Sequence, residues 1–161
     1  MLLSGCATNK VPEVDSEDTT DSRAVEVSQE VADDDKRMLL SSLYLTKCTL
    51  SIDDFSKLGE SFDRDRVQDI GNGSYLDQTS GAVVTLQKDM CAVQMPGKDL
   101  PKLASSLNRL LTVGGGNLSM VFVNGHYNGT YTRKGATFSI VVKQHFQEFY
   151  YMSVILRRVQ E

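Results

Sequence analysis

Few side chains in this 161-residue sequence have the type and spacing to do chemistry, and they are scattered. The two histidines are His126, beside a hairpin turn, and His145, in a polar stretch. Neither lies near a cysteine or in a G-x-S-x-G context, so the spacing of a nucleophile and its base is missing, and both read as surface residues. The cysteines Cys6, Cys48 and Cys91 show no CxxC or HxxxH arrangement, which makes a poor zinc site. Asp63 to Asn72 has the acids of a calcium loop, but Val67 and Gln68 stand where an oxygen ligand and a glycine are required. Gly114-Gly115-Gly116-Asn117 lacks the preceding strand and following Lys-Ser/Thr of a phosphate loop. No catalytic residue, metal or cofactor is therefore expected, and no small-molecule substrate is evident.

The remaining chemistry sits at the start. Leu3-Ser4-Gly5-Cys6 is a branched apolar residue, a small residue, glycine and cysteine. This resembles the lipobox of bacterial lipoproteins. The resemblance implies that the Cys6 thiol takes a diacylglycerol, that a peptidase cuts between Gly5 and Cys6, and that the new amino terminus is acylated, palmitate being one such chain. A signal peptide needs a cationic segment and an apolar run of about 7–15 residues. Only Met1, Leu2 and Leu3 precede the motif, so residues 1–5 read as the remnant of a lipoprotein signal peptide. Ala7 rather than Asp after the cysteine implies the periplasmic face of the outer membrane. With Cys6 lipidated, Cys48 and Cys91 are left as one pair. Bridging them would close a loop of about 44 residues, worth roughly 4 kcal/mol by chain entropy. The alternative is two buried reduced thiols acting as small hydrophobes.

Residues 6–36 read as the lipidated cysteine and a disordered acidic tether. From Ala7 to Lys36 there are ten acids, three bases and no aromatic residue. Such a segment buries too little apolar surface to offset its ordering entropy. Residues 37–161 form a single domain by length, with fourteen bases against eleven acids. The sequence has no Trp and no basic run interleaved with aromatics, so nucleic acid is not an expected partner.

Elements must position these residues. The periodicity predicts a helix from about Lys36 to Lys47, capped by Asp33 to Asp35, with Met38, Leu39, Leu43 and possible additions Leu40 and Tyr44 as its apolar stripe. Ser51-Ile52-Asp53-Asp54 resembles an N-cap for a short helix ending near Gly59, with Leu50 and Phe55 as a hydrophobic staple. A third helix starts at Asp99-Leu100-Pro101 and ends at the glycine run. Strands are predicted at Ala82 to Gln87, Met90 to Met95, Met120 to Val123, His126 to Arg133, Ala136 to Lys143 and Glu148 to Arg158, with Asn124-Gly125 the strongest hairpin signal. The fold class is α+β: an antiparallel β-meander packed against two or three helices, with one disulfide.

Aromatic and cationic residues cluster near the C-terminal strands, and Tyr127, Arg133, Lys143 and Tyr150 form the candidate binding patch. The expected function is a membrane-anchored envelope lipoprotein whose tethered domain binds an envelope protein or glycan without catalysis. A tethered inhibitor or immunity protein against a hydrolase or toxin is the alternative. A cell-envelope hydrolase comes last, since no residue set supports it.

Overall fold

The computed structural model describes residues 21–51, 54–146 and 150–159, and only the backbone of residues 21–32 and 34. Cys6, the first half of the predicted tether, and Glu148 and Phe149 lie outside the described residues.

Helix α1 runs from Asp21 to Leu50. It begins well before Lys36, so residues 21–36 are helical and the expectation of a disordered tether fails for them. The physical reason is local: 21–36 holds no glycine or proline and several good helix formers. Lys47 in the last turn suits the helix dipole. The face it buries also differs from the predicted stripe. Ser41, Tyr44, Leu45, Cys48 and Thr49 are buried, while Leu39 and Leu43 are 68% and 50% exposed. A 3-10 helix, Phe55–Ser61, follows. Its cap is Asp54, which accepts from the Ser56 N–H at 3.0 Å, rather than Ser51. Leu50 is exposed and Phe55 buried, so the predicted staple does not form.

Among the described residues, eight strands make one antiparallel sheet. They are β1 (Val67–Gly71), β2 (Ser74–Asp77), β3 (Val83–Leu86), β4 (Met90–Pro96), β5 (Asn117–Val123), β6 (His126–Arg133), β7 (Ala136–Phe146) and β8 (Tyr150–Arg158). Helix α2, Leu100–Val113, joins β4 to β5. The spatial order is β1-β2-β3-β4-β8-β7-β6-β5. Two four-strand meanders are thus joined through the central antiparallel pair β4–β8. The fold is α+β, as the periodicities imply. Strands β1 and β2 are additions to the predicted set. Their turn is Asn72-Gly73, with φ of 55° and 71°, the same left-handed pair as Asn124-Gly125 at 52° and 82°. Such a turn matches the twist of a two-residue hairpin.

Both helices pack on one face of the sheet. Val84, Val93, Phe138, Ile140, Val142, Val154 and Leu156 meet Tyr44, Leu45, Leu103, Leu107 and Leu111 in a single core. Asp99 caps α2 by accepting from the Lys102 N–H at 2.9 Å, and Pro101 sits in the first turn. Gly116 lies against the Tyr131 ring so closely that a Cβ there would overlap it. Cys48 and Cys91 form the disulfide, with Cα atoms 6.2 Å apart. It ties the end of α1 to the start of β4.

Candidate interaction surface

The four residues of the predicted patch do not share a surface. Cross-strand partners occupy one face of a sheet, and neighbours along a strand alternate. Tyr127 pairs with Val142 and Arg133 with Ala136, on the helix side. Tyr150 pairs with Phe146 on that side too, at the far end of β8. Lys143 pairs with His126 and Ser153, which places it on the opposite face. Arg133 is also committed structurally: its Nη1 donates to the Thr49 carbonyl at 2.8 Å. That contact satisfies one of the carbonyls a helix leaves open at its C-terminal end. Tyr127 stacks obliquely on Phe122, with centroids 4.9 Å apart.

The face away from the helices is continuous from β5 to β3. Its central row runs Val121, Asn128, Val141, Ile155, Ala92 and Thr85 across β5 to β3. Lys143 projects from the row on one side and Arg157 from the row on the other. Alternation along each strand gives every other outward position of β2 to β8 a neutral side chain or a histidine, so these described positions hold cations and no carboxylate. The described outward positions thus combine charge of one sign with partly apolar surface.

His145 lies on this same face. Its Nε2 is 3.0 Å from Ser153 Oγ, and its ring stacks on Tyr151 with centroids 4.6 Å apart. Burial and then the neighbouring Lys143 charge push its pKa below the usual histidine value. A Ser–His pair needs an acid to orient the imidazole and a cleft to hold the substrate. Among the described residues no carboxylate hydrogen-bonds His145, and Ser153 is only 2% exposed in the row between Lys143 and Gln94.

A second polar cluster is buried between α1 and the first meander. Arg66 donates to Asp77 through Nε and Nη2, at 3.2 and 2.9 Å. Tyr44 and Ser80 hydroxyls each donate to Asp77 Oδ2 at 2.9 Å, and the Thr79 N–H to Oδ1 at 2.9 Å. Burial alone would raise the Asp77 pKa, but these donors, Arg66 foremost, outweigh it and hold it at about 2. Burial and then the bond to Asp77 push the Tyr44 hydroxyl up. Sequence reasoning missed this cluster, because Tyr44 and Asp77 are 33 residues apart. The one local signal was Asp77 followed by Thr79 and Ser80, a turn in which Asp accepts from the backbone two residues on.

Two of the concavities formed by the described residues are notable. One, of about 390 Å³, is lined by Phe62, Arg64, Val67, Gln68, Asp69 and Tyr75. The other, of about 170 Å³, lies between Met38, Pro96, Lys98 and Met152, beside the Lys102–Asp35 ion pair. Among the described residues no three His, Cys, Asp or Glu side chains are grouped to share a metal ion. No described helix is long and apolar enough to cross a membrane. Comparison with protein-family models, curated proteins and solved structures returns no match.

Proposed function

We propose that this chain is a lipid-anchored protein of the bacterial envelope whose folded domain binds an acidic envelope component without catalysing a reaction. The observation that carries the reading is the pairing of Cys48 with Cys91. Stable disulfides belong to oxidising compartments such as the periplasm. That pair leaves Cys6 as the odd cysteine, within the lipobox-like Leu3-Ser4-Gly5-Cys6. Acyl chains contribute about 0.8 kcal/mol per buried CH₂, so two or three of them anchor a protein durably.

The domain then meets its partner through the helix-free face of the sheet. Lys143 and Arg157 supply the charge, and Val141 and Ile155 supply apolar contact between them. Helices α1 and α2 cover much of the other side, which favours this face as the contact surface.

Two measurements test the reading. Mass spectrometry of the mature N-terminus, after expression from the full reading frame, should find Cys6 acylated and first in the chain, and Cys6→Ser should release the protein from membranes. Unmodified Cys6 in membrane-free extract would overturn the anchor. Lys143→Glu with Arg157→Glu should abolish partner recovery from envelope extract at low salt, where such contacts are least screened. Unchanged recovery would remove the binding face from the proposal.

A further inference from the structure

The two edges of the sheet are built differently. Strand β1 is short, its register breaks at a bulge between Asp69 and Gly71, and it carries a charge at Asp69. Bulges and charges are the devices by which natural sheets keep foreign strands off an edge. Strand β5, at the other end of the order, has none of them. Its seven residues, Asn117–Val123, include no charge and no proline, and its register with β6 is unbroken from Asn117↔Thr132 to Val123↔His126. Val121 and Phe122 are 60% and 59% exposed.

The hairpin decides which backbone groups of β5 point away from β6. Asn124-Gly125 forms a two-residue turn with both φ positive, so Val123 and His126 are a hydrogen-bonded pair. By alternation, Val123, Val121, Ser119 and Asn117 bond to β6. Leu118, Met120 and Phe122 direct their N–H and C=O groups outward, away from the sheet. We infer that this edge pairs with β5 of a second copy of the chain, antiparallel about a two-fold axis at Met120, making one continuous sheet through the dimer.

The uncharged, mostly apolar edge suits a second copy of itself. An isologous contact requires that a surface complement itself. The register that pairs all seven residues puts Met120 opposite Met120, Leu118 opposite Phe122 and Ser119 opposite Val121. Each outward-directed residue then meets another outward-directed residue, so every hydrogen bond finds its partner. On the helix side the meeting residues are all apolar, continuous with the core that Leu118 and Met120 already pack against. With no charge on the strand, two copies meet without repulsion.

The purified chain carrying Cys6→Ser, so that only the engineered thiol is free, gives the test. Light scattering should show twice the chain mass, and Val121→Lys should return it to the monomer mass with unchanged circular dichroism. Met120→Cys should crosslink to its own copy under mild oxidation, since hydrogen-bonded antiparallel partners have Cα atoms about 5.5 Å apart. Val123→Cys, offset from its copy by six residues, should not. A monomer throughout the dilution series overturns the inference, as does a dimer unaffected by Val121→Lys or one crosslinked through Val123→Cys instead. A monomer whose β5 amides gain exchange protection only on adding envelope extract would assign the edge to a foreign strand, and so overturn it as well. None of these outcomes depends on the lipid anchor.

Discussion

Arg66 grips Asp77 with two nitrogens, and the two groups differ in their access to water: the carboxylate is fully buried and the guanidinium partly exposed. The charge most costly to bury is therefore the one that collects the most donors. It holds the turn between β2 and β3 through Thr79 and Ser80, and reaches α1 through Tyr44. Removing a single partner of such a group leaves an uncompensated charge, which is where the energetic cost concentrates.

Acid should expose this cluster. The folded pKa of Asp77 is about 2, below its ordinary 3.8. A depressed folded pKa contributes stability that is complete above the unfolded value and is lost as pH falls through the folded one. The difference corresponds to about 2 kcal/mol, lost between roughly pH 4 and pH 2. Urea melts across that range should show the loss in the parent and a flatter profile in Asp77→Asn. Arg66→Ala should cost about 3 kcal/mol at neutral pH and move the Asp77 titration, read by NMR, upward.

The Cys48–Cys91 bridge constrains the unfolded chain as well as the folded one. Its loss in a Cys48→Ala, Cys91→Ala double variant should lower stability by about 3–4 kcal/mol. Reductant should produce the same fall in the urea midpoint of the parent and none in the variant. An equal response of both proteins to reductant would assign the effect to something other than this bridge.

Gly129 and Gly125 should respond differently to alanine. A Cβ on Gly129 would overlap the Ser119 carbonyl oxygen and crowd Met120, both on the neighbouring strand. Gly125 has open space around it but a φ of 82°. Gly125→Ala should therefore cost about 1 kcal/mol, the usual strain of a left-handed residue. Gly129→Ala should cost more, about 2–3 kcal/mol, because β5 must shift away from β6. Thermal denaturation of the two variants side by side checks the order.

What the sequence determined alone was local in origin. Asn124-Gly125 and Lys134-Gly135 announce tight turns because few residues adopt positive φ, and both turns form. Asp99 and the glycine run bracket α2 because a helix end must satisfy its own backbone, and both ends form there. The 3.6-residue period of Leu100, Leu103, Leu107, Leu110 and Leu111 marked its inward face, and all are buried except Leu110, which is partly so. The first hairpin turns on the same kind of pair, Asn72-Gly73, but its short strands with mixed polarity hid it.

Only the tertiary structure decided which faces meet. Leu39 and Leu43 have the hydrophobicity of core residues, yet α1 is turned so that Ser41, Tyr44 and Cys48 face the sheet. That rotation is set by attachments to Cys91 and Asp77, which are 43 and 33 residues away from their partners in sequence. Arg133 and Lys143 have the same charge on adjacent strands, yet the pairing of Lys143 with His126 sends them to opposite sides. A one-residue change of register would reverse that, because side chains alternate with a period of two. Register is set jointly by every turn and every buried contact in the sheet, and for that reason no single stretch of sequence displays it.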